Sequence, residues 1–237
     1  MPNKFRFRWI PLLITLLLCA LGISLGQWQS RRAQEKEAIA QAMQERTKLP
    51  PLSAQDALSS RASVYRRIRL TGHFVAEWPL YLDNRPLKGV AGFYVVMPFK
   101  MEGTDQVILV GRGWQARDAH DRTRMPALIT PPGLVQIEGQ LHENLGHVMQ
   151  LGQAEIVRPG AVLQNLNPAD LAKQTGWKLL PLMVEQSSGP ADGLTRDWPL
   201  PSDGADKHRA YAFQWYALSL MAIIFFVVTG YRRGKTE

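Results

Sequence analysis

Two long uncharged stretches, one near each end, constrain the fold more than any other feature of this chain. From Trp9 to Gly26 the sequence reads WIPLLITLLLCALGISLG, 18 residues without a charge, and from Tyr211 to Tyr231 YAFQWYALSLMAIIFFVVTGY gives 21 more. At about 1.5 Å rise per residue these reach roughly 27 and 31 Å, close to the ~30 Å hydrocarbon core of a bilayer. Each is expected to cross a membrane as a helix. A cleaved signal peptide competes for the first stretch, which has a basic start in Lys4, Arg6 and Arg8. No small-x-small site precedes QWQSRR, however, and a bulky leucine before Cys19 argues against a lipoprotein signal. An uncleaved anchor is the expectation.

Orientation follows from the short tails. Lys4, Arg6 and Arg8 precede the first span, and Arg232, Arg233 and Lys235 follow the second. Long translocated segments escape the positive-inside rule, so both termini are expected in the cytoplasm and the central part in the periplasm, anchored in a bacterial inner membrane. Arg31, Arg32 and Lys36 sit on the wrong side for a strict rule, but the second helix votes independently. The same residues dispose of the net charge. A formal +8 on one compact domain would suggest nucleic acid, yet nine of the 28 Lys and Arg residues flank the spans. The expected partner is the lipid bilayer, with no nucleic acid. The one cysteine, Cys19, lies inside the first span, which leaves the central domain without a disulfide or a thiolate metal site.

Between the spans the texture changes. Gln29 to Lys48 is rich in Ala, Glu, Gln and Lys, all good helix formers, and should extend the first helix outward until Pro50 and Pro51 stop it. YRRIRLTGHF, PLYLDNRP, GFYVVMPFKM, QVILVGRGW, GLVQIEGQL and LLPLMVEQ then read as strands, short apolar runs separated by Gly, Pro, Asn and Asp. NPADLAKQTG reads as a helical insert, with Asn167 as cap, Pro168 in its first turn and Gly176 as stop. Gly189 to Asp206 reads as a linker. The expected fold is a membrane protein whose two transmembrane helices flank a mostly β (α+β) extracytoplasmic domain. The expected boundaries are a cytoplasmic tail over 1–8, a first transmembrane helix over 9–28, its helical extension over 29–49 and a β-rich periplasmic domain over 50–188. A linker over 189–207, a second transmembrane helix over 208–231 and a cytoplasmic tail over 232–237 complete the division.

Two motifs imitate enzymes. HENLGH, His142 to His147, has its histidines five apart, about 140° round a helix. A zinc protease helix needs them four apart to reach one metal, so a loop after a strand is expected here. GRGWQA, Gly111 to Ala116, imitates a dinucleotide-binding turn, but the following RDAHDRTRMP lacks an apolar helical period; a strand followed by a turn is expected. There is no G-x-S-x-G elbow and no P-loop, and nothing argues for an enzyme.

The remaining constellation is KHRAYAFQWYALSL at the mouth of the second span. On a helix His208, Tyr211, Ala212, Trp215, Ser219 and Ala222 share one face. An aromatic belt at the membrane interface explains such a face. So does a porphyrin shelf, in which a neutral imidazole ligates haem iron, aromatics flank the macrocycle and small residues leave room for it.

Several motifs, taken in order, resemble the surfeit locus (Surf or Shy) family of cytochrome c oxidase assembly factors. They are Leu25, Gly26, Trp28, Gln29, Arg32 and Lys36 at the exit of the first span, and Tyr65, Gly72 and Phe74 in YRRIRLTGHF. Asn84 and Arg85 in LDNRP, Gly92, Pro98 and Phe99 in GFYVVMPF, and Arg112, Gly113 and Trp114 in VILVGRGW follow. His208, Tyr211, Gln214 and Trp215 close the series. The resemblance covers nearly the whole chain. It implies a non-enzymatic assembly factor that holds haem a transiently at the outer membrane interface for insertion into the haem-bearing core subunit of the oxidase, with enzymes of haem a synthesis as further candidate partners. It implies His208 as the iron ligand, and Tyr211 and Trp215 as pocket walls. Arg85 and Arg112 would contact the haem propionates or brace the domain. A cofactor-free scaffold that stabilises an oxidase assembly intermediate is the alternative.

Overall fold

The computed structural model describes residues 7–59, 63–118, 125, 127–150, 155–199 and 204–232. The tail residues Lys4, Arg6, Arg233 and Lys235, positions 200–203 of the expected linker, and most of RDAHDRTRMP lie outside them. The chain divides into two compact units, one made of the two ends, up to Gln41 and from Pro199 onward, and one spanning Ala42–Trp198.

Among the described residues the central unit has seven strands: β1 (Arg67–Phe74), β2 (Leu80–Leu82), β3 (Gly92–Met101), β4 (Gln106–Ala116), β5 (Val135–His142), β6 (Val162–Leu163) and β7 (Lys178–Ser188). All six apolar runs of the sequence are strands; β6 is an addition of two residues. The order is β1-β5-β7-β4-β3-β2-β6, and β1 also pairs with β3, so that β1, β5, β7, β4 and β3 close on themselves as a five-stranded barrel. Closure occurs at Gly72, which faces Val135 of β5 on one side and Met101 of β3 on the other. A Cβ on Gly72 would run into the Lys100 carbonyl and the Phe99 ring, so only glycine lets β1 change partners there. All pairings in the ring are antiparallel except β4 with β7.

Alternation of side chains makes two apolar layers from the same strands. Ile68 and Leu70 of β1, Met97, Phe99 and Met101 of β3, Ile108 and Val110 of β4, Ile137 and Leu141 of β5 and Val184 of β7 fill the barrel. The opposite faces, through Leu80, Leu82, Tyr94, Val96, Leu109 and Met183, pack under the segment carrying β6 and α3 (Pro168–Thr175). Each fully buried aliphatic side chain contributes about 1.5–3 kcal/mol. Helix α3 starts and stops where the sequence indicates: the Asn167 side chain accepts from the Ala169 N–H, and Gly176 ends it in the left-handed conformation. Pro181 interrupts β7 without breaking it because the ladder skips from Leu179 to Met183 there, and a bulge needs no N–H.

GRGWQA is continuous strand, the end of the run QVILVGRGW, and the turn expected after it falls mostly outside the described residues. Val95 faces Gly113 and Val96 faces Gly111, so Arg112 is an extra residue in a β-bulge, with Gly113 at φ 155°. Both strands continue beyond the two glycines, and only the strand partner reveals the bulge between them.

The terminal unit contains α4 (Ala205–Arg232) and the length of α1 (Trp9–Thr47) up to Gln41; α1 ends before Pro50 and Pro51, and the short α2 (Ala54–Ala57) follows in the central unit. Both α1 and α4 are long and apolar enough to cross a bilayer, and only 11% of the most apolar 18-residue part of each is buried. A core helix of a water-soluble protein would be mostly covered.

Candidate functional site

α1 and α4 pack through small residues. Gly22 and Gly26 of α1 are buried, as are Ala212 and Ser219 of α4. A Cβ on Gly22 would overlap the Ser219 hydroxyl and stand 3.1 Å from the Trp215 carbonyl oxygen; one on Gly26 would stand 2.6 Å from the Tyr216 ring. Glycines four apart let two helices approach at backbone distance. Cys19 adds a weak bond from its thiol to the Ser219 carbonyl at 3.4 Å. The small residues of α4 therefore accommodate α1.

His208 stands in the first turn of α4 and is half-buried. Its Nδ1 lies 2.6 Å from Oε1 of Gln29 on α1. An amide oxygen only accepts, so Nδ1 carries a hydrogen, and in the neutral ring Nε2 is left with its lone pair. Among the described residues no hydrogen bond to Nε2 is recorded. Nearby, Arg209 pairs with Glu37 at 2.7 Å. Tyr211 is 54% exposed, Trp215 half-buried and Gln214 exposed.

Arg85 and Arg112 belong to the central unit, and both are engaged within it. Arg85 donates through Nη1 to the Asp83 carbonyl at 2.6 Å and through Nη2 to the carbonyls of Gly146 and Gln164 at 2.6 and 3.1 Å. Asn84 makes the approach possible by adopting φ 57°, a left-handed conformation that asparagine tolerates. The indole of Trp114 donates to the Arg85 carbonyl at 2.6 Å, locking LDNRP to VGRGW. Arg112 follows Ile108 and Val110 on the face that enters the barrel. There it donates to Asp192 and the Ile129 carbonyl, with Thr130, the Met97 sulfur and the Phe74 ring alongside. Burial pulls both guanidinium groups below their usual value, opposed by Tyr94 and Asp83 for Arg85 and chiefly by Asp192 for Arg112. Residues of the expected linker supply part of this: Asp192 is buried, and Thr195 exchanges two backbone hydrogen bonds with Trp114.

The histidines of HENLGH separate: His142 closes β5, and His147 lies exposed in the loop beyond. His142 Nε2 is 3.2 Å from Gln140 Oε1 and 3.8 Å from Glu185 Oε2. Burial lowers His142 to about 4 and raises Glu185 to about 7. Among the described residues no three His, Cys, Asp or Glu side chains stand close enough together to hold a metal ion.

Residues 16–220 match the profile of the SURF1 family. The chain belongs to the SURF1 family. A SURF1-like protein of Rickettsia felis is 27% identical over 94% of this chain and 96% of its own, and one of Rickettsia bellii is 28% identical over 96% and 92%. The cytochrome oxidase assembly protein SHY1 of Saccharomyces cerevisiae is 28% identical over 38% of this chain and 24% of its own. Of the SURF1 motif positions noted in the sequence, Gly26 and Gln29 enter the helix seam, Trp28 stays 46% exposed, and Arg32 makes an exposed pair with Glu35. Asn84 and Trp114 adjoin Arg85, and Gly113 follows Arg112 in the β-bulge. Reading the sequence by hydropathy missed two contributors here. Gly22-x-x-x-Gly26 is a local signal that was present; the pairing of Gln29 with His208, 179 residues apart, has none.

Proposed function

We propose that this SURF1 family member is an assembly factor for cytochrome c oxidase, and that it holds haem a on His208 for delivery to the haem-bearing core subunit. The observation that carries this reading is the state of His208: one ring nitrogen is committed to Gln29, and the other keeps its lone pair at the mouth of an apolar helix. That is the donor a haem iron takes from a neutral imidazole. The yeast relative's name, a cytochrome oxidase assembly protein, supports the setting.

Both helices cross the bacterial inner membrane in this reading, with the tails in the cytoplasm and the central unit in the periplasm. The uncovered apolar surface of α1 and α4 supports insertion, and the basic residues of the tails support the orientation. His208 then lies at the outer boundary, where the isoprenoid tail of haem a partitions into lipid and its propionates reach water. Tyr211 and Trp215, three and seven residues further along α4, offer ring faces to the macrocycle. A single imidazole suits a cargo that must leave again. Arg85 and Arg112 brace the central unit, as their internal partners favour, and the protein performs no catalysis.

The burial of Ala212 and the packing of Ser219 against Gly22 of α1 favour a second reading, a cofactor-free scaffold, because those residues leave less open shelf on α4. The two separate on protein purified from cells that make haem a. A haem carrier shows the cofactor's optical spectrum and loses it in His208→Ala; a scaffold is colourless and supports oxidase assembly without His208.

A further inference from the structure

We infer that Gln29 is the positioning residue of His208: it selects the ring tautomer, aims Nε2 at the metal, and by being an amide keeps the ligand weak enough to let go. The inference rests on the haem-carrier reading for the identity of the metal centre, but its first part concerns the protein alone.

The seam between α1 and α4 is what makes the hydrogen bond dependable. Gly22, Gly26 and Gln29 recur at four and then three residues, so they form one stripe on α1. His208, Ala212 and Ser219 recur at four and seven on α4. The two stripes meet: Gly22 abuts Ser219, Gly26 abuts Tyr216, and Gln29 reaches His208 at 2.6 Å. The carboxamide is thus presented by a rigid helix pair at a fixed height, and it meets an imidazole whose α4 turn is closed by the His208 N–H to the Gly204 carbonyl. Histidine side chains free in solution favour the Nε2–H form. Here an acceptor at Nδ1 reverses that preference.

Ligating histidines regularly donate their second N–H to an acceptor, which sets ring orientation and basicity. A carboxylate in that place would draw the proton and make the imidazole a stronger, more anionic donor. An amide oxygen orients the ring without doing so. A permanent site gains from the first arrangement, and a transfer protein gains from the second.

The test uses the full-length chain in detergent with 15N-labelled histidine, first without haem, at mildly alkaline pH where an ordinary imidazole is neutral. Long-range proton–nitrogen spectra show which ring nitrogen of His208 is protonated, its signal being assigned by its loss in His208→Ala. Nδ1–H is expected in the wild type and in Gln29→Glu, and mainly Nε2–H in Gln29→Leu. An Nε2–H wild type, or the same tautomer in Gln29→Leu, overturns the inference. Hemin titration follows. Gln29→Leu should bind roughly 10–100-fold more weakly, the usual cost of removing such a partner, and Gln29→Glu should release hemin more slowly than the wild type. Wild-type affinity in Gln29→Leu overturns the positioning role. A wild type that binds no hemin or haem a sinks the carrier reading instead, while the tautomer result stands.

Discussion

Arg112 donates to Oδ2 of Asp192 at 2.8 Å with neither side chain reaching solvent, at 0% and 1% exposure. Arg196 reaches the same oxygen at 2.6 Å. Removing the shared carboxylate strands two cations, whereas removing Arg112 leaves Asp192 still paired. Asp192→Ala should therefore cost about 3–5 kcal/mol, and Arg112→Met should cost less. Thermal unfolding of the purified chain in detergent measures both, and the reverse order would contradict the sharing of Asp192 by Arg112 and Arg196.

For Arg85 the three carbonyl acceptors demand a planar fork that lysine lacks. Arg85→Lys should lower stability by about 1–3 kcal/mol through unsatisfied buried acceptors. Haem affinity, measured below the unfolding transition, should stay at the wild-type level. Loss of haem affinity with an unchanged unfolding midpoint would instead make Arg85 a propionate contact.

His142 and Glu185 titrate against each other. The folded chain holds His142 at about 4 against an ordinary 6.5, so as pH falls from 6.5 to 4 the unfolded chain takes a proton that the folded one refuses, and stability drops. Glu185, at about 7 against 4.5, does the opposite: as pH rises from 4.5 to 7 the folded chain keeps a proton that the unfolded one has lost, and stability drops. The two slopes offset over the shared window. Glu185→Gln should expose the His142 limb, with stability rising from acid toward neutral by at most about 3 kcal/mol. His142→Asn should expose the falling limb. Unfolding midpoints that run parallel to the wild type at every pH would refute the pair's burial.

A Cβ on Gly22 would meet the Ser219 hydroxyl first and then the Trp215 carbonyl of the α4 backbone, which cannot step aside as a side chain can. Gly22→Val should separate α1 from α4 and so break Gln29 from His208, lowering haem retention although Gly22 touches no cofactor. For Gly26→Ala the nearest atoms belong to the Tyr216 ring, and Tyr216→Ala should restore what it loses. Equal haem retention in Gly22→Val and the wild type would argue against the seam.

The strands were legible because they are short apolar runs bounded by turn formers, and α3 because Asn167, Pro168 and Gly176 are local signals; the order and closure of the barrel rest on partners distant in the chain. β6 escaped notice because Val162 and Leu163 form a strand only through Tyr81 and Leu82. The bulge at Arg112 was not legible, because two glycines mean either a turn or a bulge until the opposite strand is known. At the candidate site, residue type singled out His208. Its partner Gln29, and the engagement of Arg112 by Asp192 80 positions away, are products of long-range packing and leave no spacing to read.

The most direct measurement is the visible absorption spectrum of the full-length protein, purified beside a haem a synthesis pathway, with His208 intact and with His208→Ala. The expected result is a haem a spectrum in the first sample and its loss in the second, at equal protein yield and equal unfolding midpoint. A colourless wild type, or pigment that persists without the imidazole, would contradict the proposal that this side chain carries the cofactor.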